Sequence, residues 1–591
     1  LQPLETLDAD TVETYYKDGN ALFTVTIEED KLIGTVEAIQ DLIGEENCIS
    51  GDAASTAIAT TSTVKEVALI SVIAVIFVFA VLILTTASWV EPVIVLIGLG
   101  IAILINNGSN LIFGEISFVT NAAGSILQLA VSLDYSVFLI HRYEECLKET
   151  PEPKEAMVNA LCRSTSSILS SGLTTVIGFL ALVFMRFLIG PDLGLALAKG
   201  VAISLITVFI FMPALILSMR QWMIKTRHRR FLPSFQKFGR AVSHVMIPMA
   251  CVFAVLIVPG YLASNSNSFY YGASYIFGEN TKLGQDTAAI EDIFGKNDTY
   301  VALVPKGNAS AERELSDALH AIPQVKSIIS YVDTVGAEIP EEYLDQDTLS
   351  QLVSDNYSRM VITVDADYEG EETFNLVKSM RETIGRYYPG AYYLAGNGVS
   401  TYDLMDTITA DMLKVNLIAI GAVFLVLLFT MKSITLPVIL VLGIETAIWI
   451  NMAVPYFSGS TVFYISYLII SSIQLGATVD YAILFTDRYM EFRRGMDKKR
   501  AVVETVSAVT VSVLTSGSVM AVVGFLLGYI STHGIISQLG MLLGRGSLLS
   551  LGVVLFVLPG LLYLLDGLIR HTTLKTSFYH KPKEKVNHEH H

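Results

Sequence analysis

Eleven predominantly apolar stretches, each near 20 residues, limit what this 591-residue chain can become. About 20 such residues make a helix long enough to cross the ~30 Å hydrocarbon core of a bilayer. In lipid, a spanning segment has to satisfy its own backbone, so helices are the expected form. The stretches fall at about 65–85, 92–113, 116–140, 166–187, 193–219, 243–263, 411–431, 436–457, 462–486, 510–530 and 535–566. Only 16% of the residues are charged, against about 25% in a soluble domain. The reading is a polytopic α-helical membrane protein.

Polar pieces lie between and around these stretches. Residues 1–64 read as a soluble piece, with a strand at Ala21–Ile27 and helical spacing from Asp30 to Ile43. Residues 264–410 form a second soluble domain with strands at Thr299–Pro305, Val325–Val332, Arg359–Asp365 and Ala391–Ala395 and helices at Ala311–Ala321 and Glu371–Tyr388. That order, strand-helix-strand taken twice, predicts a ferredoxin-like split βαβ unit. The net charge of −17 is uneven: residues 264–410 hold 23 acidic and 9 basic residues. A linker at 220–242 carries Arg220, Lys225, Arg227, Arg229, Arg230, Lys237 and Arg240, and Arg493, Arg494, Lys498, Lys499 and Arg500 lie between two later spans. A basic tail at 567–591 carries Lys575, Lys581, Lys583 and Lys585. Basic loops mark the cytoplasmic side, so the charge pattern sets orientation and gives no sign of nucleic-acid binding. Four scattered cysteines imply no disulfide framework.

The chain repeats itself. Pro92 matches Pro437, Gly98 matches Gly443, Asn106 matches Asn451, Gln128 matches Gln474, Lys199 matches Arg545 and Pro213 matches Pro559. Leu7–Thr11 also matches Leu344–Thr348. The first half, 65–219, holds five spans; the second holds six, at 243–263 and within 411–566. The expectation is two six-span halves, with eleven of twelve spans present and half of the first soluble domain missing. Matching spans keep the same sense across the membrane, as in a parallel repeat.

Within the repeat, Asp134-Tyr135 and Asp480-Tyr481 stand inside apolar spans 346 residues apart. A carboxylate at a bilayer centre costs about 2.5–3.5 kcal/mol on insertion scales and marks a functional site by default. Each aspartate is expected to accept a hydrogen bond from the tyrosine of the other half. Ser170 and Ser516, with Ser171 and Ser518, are expected to complete the network as a proton relay. Two other readings compete. The pairs could simply lock helices together, or form an intramembrane aspartyl protease. The second needs Gly-x-Gly-Asp, whereas Thr478-Val479 precede Asp480. Glu445 is a half-specific polar feature facing a water path or an interface. Lys199 and Arg545 are expected to snorkel or bind headgroups, Asp192 to pair with Lys199, and His533 to be interfacial. No P-loop, metal-ligand cluster or nucleophile elbow is visible. The expectation is therefore no cofactor, no metal and no catalytic residue, with an ion gradient or another subunit as energy source.

The Asp-Tyr pairs, the Arg-Tyr-x-Glu endings at 142–145 and 488–491, the Ser/Gly-rich spans, and Pro213-Ala214-Leu215 with Pro559-Gly560-Leu561 resemble the resistance-nodulation-division superfamily. Within it they are most similar to the MMPL (mycobacterial membrane protein large) branch. The resemblance implies α+β porter domains outside the membrane and proton-driven export of lipids or other hydrophobic molecules across a bacterial inner membrane. It also implies protons crossing at the Asp-Tyr pairs, and a monomer, with a trimer as the alternative. Sterol-sensing receptors and SecDF-type translocation factors share that fold and supply the alternative function.

Overall fold

A computed structural model describes residues 15–578, apart from 230, 234, 273–274, 279, 297, 337–345 and 575–577. The Leu7–Thr11 end of the repeat, Arg230 and the tail lysines therefore lie outside the described residues. The chain divides into two units, one of residues up to 61 with 270–409, the other of 62–269 with 410 onward.

Among the described residues, eleven helices are long and apolar enough to cross a membrane: α1 (Asp52–Thr85), α2 (Glu91–Phe113), α3 (Phe118–Glu149), α4 (Pro153–Phe184), α5 (Ile189–Lys225), α6 (Gln236–Ser264), α7 (Asn397–Met431), α8 (Thr435–Ser458), α9 (Tyr464–Arg493), α10 (Lys498–Ile530) and α11 (Gly534–Leu564). The number agrees with the sequence reading. The bounds of α1 and α7 differ, because both begin well before their apolar stretch. At 1.5 Å per residue these helices of 34 and 35 residues are about 50 Å long, more than a bilayer core needs. The extra turns, such as Asp52–Val64, are built from small and polar residues that hydropathy does not flag.

The repeat holds down to single hydrogen bonds. In the first half, Asn106 Nδ2 donates to Gln128 Oε1 at 2.8 Å, and Gln128 Nε2 donates to Gly200 O and Ser204 Oγ. In the second, Asn451 Nδ2 donates to Gln474 Oε1 at 3.0 Å, and Gln474 Nε2 donates to Gly546 O and Ser550 Oγ. Every one of these groups is buried or backbone, so leaving one unpaired would cost about 1–3 kcal/mol. A Cβ at Gly200 or Gly546 would collide with these amides. A wide π turn appears at Thr207–Phe211 in α5 and at Val553–Val557 in α11. Each sits just ahead of a proline, Pro213 or Pro559, whose missing N–H and bulky ring break the regular ladder.

Lys199 and Arg545 are both held by acceptors of the protein itself. Lys199 Nζ donates to Asn106 O, Ser109 Oγ and Asn110 Oδ1 and lies 4.8 Å over the Phe113 ring. Arg545 donates to Asn451 Oδ1 and O. Both close the carbonyl end of a neighbouring span, where a cation complements the helix dipole. Asp192 does not pair with Lys199 either. It accepts from Ser117 N and Thr120 Oγ1, both at 2.7 Å, and caps the start of α3. Its counterpart is Gln538, which accepts from Phe463 N at the start of α9. His533 is buried, edge-on to Phe118.

In the other unit, strands β1 (Asp298–Pro305), β2 (Val325–Ile329), β3 (Tyr357–Val364) and β4 (Tyr393–Ala395) form one antiparallel sheet in the order β2-β3-β1-β4. Helices Ala309–His320 and Glu371–Tyr387 supply the crossovers. This is the expected ferredoxin-like topology. Its core gathers the inward positions of β1 and β3 with Leu315, Leu319, Leu376, Val377, Met380 and Ile384. The expected strand at Ala21–Ile27 does not form. A tight hairpin, Tyr16–Lys17 with Asn20–Ala21, turns at Asp18-Gly19, both with positive φ. Asp-Gly is the favoured pair for such a turn. Residues 22–28 then run without a ladder partner among the described residues, leaving Phe23 82% exposed. The helix Leu32–Ile43 does form; Val36 packs with Ala54, Ala57 and Leu283.

Candidate functional site

Helices α3 and α9 are the most enclosed of the spans, with 83% and 94% of their apolar windows buried. They pack with α4 and α10 in a ring, α3 on α4, α4 on α9, α9 on α10 and α10 on α3. A cavity lies inside it, lined by Asp134, Tyr135, Asp480 and Tyr481. Ser167 and Ser171 from α4 and Ser512 and Ser516 from α10 face it as well. Its volume of about 40 Å³ exceeds the ~10–15 Å³ a single water needs, and its walls offer the polar partners a water requires.

The two halves contribute unequally. Tyr135 Oη donates to Asp480 Oδ2 at 3.3 Å, crossing from the first half to the second as expected. Thr175 Oγ1 lies 3.3 Å from both Asp480 oxygens and 2.9 Å from Gly476 O. The matching bond from Tyr481 to Asp134 does not form. The Tyr481 hydroxyl lies near Ser547 without a hydrogen bond of good geometry, and Asp134 Oδ1 is buried with no partner although Ser516 is beside the carboxylate.

The asymmetry has sequence causes. The repeat position of Thr175 is Ala521, which has no hydroxyl to give. α4 also meets α9 glycine to glycine, since a Cβ on Gly178 would stand 3.0 Å from Gly476 Cα. The position matching Gly476 in α3 is Ala130. Small residues of this kind let helix backbones touch; the added methyl keeps the mirrored contact wider.

Five of the six expected relay residues meet here: Asp134, Tyr135, Asp480, Tyr481 and Ser516. Ser170 is buried but does not line the cavity; its neighbour Ser171 does. The facing stripe on α4 is Ser167, Ser171, Thr175, spaced by four. On α10 it is Ser512, Ser516. Of the four serines expected, Ser171 and Ser516 face the cavity and Ser170 and Ser518 do not; the hydroxyl period of four was readable and would have added Ser167, Thr175 and Ser512. Glu445 is buried on α8, outside this cavity. Among the described residues no cluster of side chains is suited to hold a metal ion.

The model of the MMPL family matches residues 14–247 and 283–578, most of the chain. This protein belongs to the MMPL family. The family falls in the resistance-nodulation-division superfamily, in agreement with the fold above. The chain is 28% identical to the probable transport protein MmpL12 of Mycobacterium tuberculosis over 30% of its own length and 16% of that protein's. It is 21% identical to the putative membrane protein ActII-3 of Streptomyces coelicolor over 80% of this chain and 66% of the relative. It is 23% identical to the siderophore exporter MmpL5 of M. tuberculosis over 43% and 28%. The crystal structure of SecDF, a translocon-associated membrane protein of Thermus, aligns with a TM-score of 0.55 at 13% identity, covering 86% of this chain and 63% of that one. The chain thus spans less than two thirds of the length of each of these proteins. The SecDF likeness concerns the fold alone.

Proposed function

We propose that this MMPL protein is a proton-driven exporter of lipids or other hydrophobic molecules in a bacterial cytoplasmic membrane. The observation that carries the reading is the bond from Tyr135 to Asp480 beside a cavity large enough for water. Two carboxylates at the interface of two repeats are placed so that a proton taken up by either removes charge from a shared helix seam. Repacking of α3, α4, α9 and α10 around that seam would then be passed to the porter domains. One proton moving down 100 mV supplies about 2.3 kcal/mol, enough to reverse the balance of one or two such hydrogen bonds. Arg220, Lys225, Lys237 and Arg240, and the cluster Arg493–Arg500, fall at one set of span ends when the helices alternate. By the positive-inside rule those ends are cytoplasmic, and the unit of residues up to 61 with 270–409 is extracytoplasmic. The names of MmpL5, a siderophore exporter, and MmpL12, a probable transport protein, support export as the activity. A monomer is the simplest transporting form, because both carboxylates come from one chain.

The test is transport in proteoliposomes with an imposed pH gradient. Asp480→Asn keeps the shape of the side chain and removes its charge, and is expected to abolish proton-dependent transport. Full proton-dependent transport by that variant would sink the proposal.

A further inference from the structure

Along α3 and α9, charged residues follow each aspartate on one side only. From Phe118 to Asp134 and from Tyr464 to Asp480, α3 and α9 carry no other charged residue. In the other direction, seven residues past each aspartate, stand His141 and Asp487. Seven residues are two helical turns, so each lies on the same face as its aspartate. The two positions are equivalent in the repeat.

Each is joined to a serine of the opposite half. Ser512 Oγ lies 3.3 Å from His141 Nδ1, and Ser167 Oγ donates to Asp487 Oδ2 at 2.6 Å. Both serines also line the cavity that holds Asp134 and Asp480. Phe138 and Leu484, one turn past each aspartate, line that cavity and a second one of about 410 Å³. The walls of the second cavity include His141, Arg142, Glu145, Arg488 and Ser512. Phe138 and Leu484 thus form an apolar constriction between the two spaces, and Ser512 is a hydroxyl common to both.

Two groups able to carry a proton, an imidazole and a carboxyl, occupy equivalent positions, each bonded to a hydroxyl that faces the carboxylate cavity. We infer that His141 and Asp487, reached through Ser512 and Ser167, form the cytoplasmic leg of the proton path. The inference rests on the proton reading of Asp134 and Asp480 given above. The transfers balance without any further reactant. A protonated aspartate gives its proton to cavity water and becomes a carboxylate. A serine oxygen accepts one proton as its own hydrogen passes to Asp487 or His141. Imidazolium formed at His141 then releases its proton to water in the second cavity, which His141 lines, and the acid formed at Asp487 passes its proton towards Glu491, one turn on and half exposed. The charged groups facing this leg are Arg142, Glu144, Glu145 and Lys148 from α3 and Arg488 and Glu491 from α9.

The experiment uses the full chain in phosphatidylethanolamine–phosphatidylglycerol liposomes, with a potassium diffusion potential set by valinomycin and internal pyranine reporting proton entry. Together, His141→Gln and Asp487→Asn are expected to slow the flux roughly a hundredfold, the low end of what a positioned proton carrier contributes, and each alone to slow it in the same direction. Ser167→Ala and Ser512→Ala, which leave every charge in place, slow it in the same direction. His141→Ala regains flux with imidazole in the bath, and Asp487→Ala with azide, as diffusible carriers replace the missing group; a structural defect is not restored in this way. Normal flux in the His141→Gln, Asp487→Asn double variant, with Asp480→Asn inactive, overturns this path and leaves the exporter reading standing. Slowed flux that neither carrier restores also overturns it. Normal flux in Asp480→Asn overturns both.

Discussion

Tyr135 donates its hydroxyl hydrogen bond across the repeat to Asp480, 3.3 Å away, and Tyr481 returns no such bond to Asp134. Two nearly identical Asp-Tyr stretches are therefore held in two different states within one chain. The bonded aspartate has Tyr135, Thr175 and a close glycine contact around it; the other has an unpartnered oxygen and Ala521 where Thr175 would stand. The repeat thus duplicates the carboxylates but not their donors; under the proposed proton-driven cycle the two sites are expected to act unequally.

That inequality predicts unequal variants. Tyr135→Phe removes a donor to a buried carboxylate, an interaction worth about 1.5–3 kcal/mol. Proton-driven transport is expected to fall roughly tenfold or more. Tyr481→Phe removes a hydroxyl with no acceptor in this state and is expected to change the rate by less than about threefold. Initial rates in proteoliposomes decide the matter. Equal losses would mean that the Tyr481–Asp134 bond forms at some other point of the cycle and matters as much.

The α4–α9 contact makes a second prediction. Gly178→Ala puts a methyl group 3.0 Å from Gly476 Cα, backbone that cannot swing aside, so the helices have to part. Overpacking of this kind costs about 1–3 kcal/mol, and the variant is expected to unfold at a lower temperature in detergent and to weaken the Tyr135–Asp480 bond. Gly100→Ala is the control, because nothing lies within 4 Å of its added Cβ; there, the change to a better helix former is expected to leave stability level or slightly higher. If both variants melt alike, the glycine contact does not hold the seam closed.

Much of this was legible from residue order. Apolar length set the spans, strand-helix alternation set the four-stranded sheet, and the repeat placed Asp134 and Asp480 together. What stayed hidden depended on rotation and on neighbours. Repeat matching pointed to Ser170, which does not line the cavity as Ser171 does, and it gave no sign of Thr175, one turn further along α4. That Lys199 has Asn106 O, Ser109 and Asn110 at its tip depends on how α2 and α5 pack, which residue order does not state. Gln538 could not be recognised as the partner of Asp192, because an amide and a carboxylate share the capping role without sharing a residue type. The strand expected at Ala21–Ile27 shows the converse limit, since β propensity forms no strand without a ladder partner.

The unit that holds the four-stranded sheet carries a pH-dependent contact in Asp298. Burial holds its carboxyl above the ordinary range, and the N–H groups of Gly398 (2.7 Å) and Thr299 (2.8 Å) offset part of that rise. With the folded value raised, the folded unit binds this proton more readily than the unfolded chain. The stabilisation is full below the unfolded value of about 3.9 and is lost as pH rises through the folded one. Asp298→Asn is expected to flatten that part of the stability–pH curve while keeping an acceptor for Gly398. Hydrogen exchange of β1 amides, corrected for intrinsic rates, measures it; an unchanged slope would assign the dependence to another group.

The last prediction concerns the charged ends of α3 and α9. Arg142 bonds Glu145 at 3.0 Å and Glu491 at 3.3 Å, while Arg488 bonds Glu491 at 3.0 Å and Glu145 at 2.9 Å. Each arginine thus holds one carboxylate of its own helix and one of the other, and the four groups close a ring across the repeat. The arginine side chains are only 10% and 12% exposed, but the glutamates are 45% and 52% exposed, so water screens the ring and an isolated pair would contribute little. A closed network with buried guanidinium groups is worth more than its exposed pairs, because removing one member leaves two carboxylates sharing a single cation. A double-mutant cycle between Arg488→Gln and Glu145→Gln is expected to give a coupling of about 1 kcal/mol in thermal stability, falling in high salt. Because the ring ties the two aspartate helices at one end, Arg488→Gln is also expected to raise the rate at which α9 amides near Glu491 exchange. Zero coupling combined with unchanged exchange would reduce the ring to surface charge with no hold on the seam.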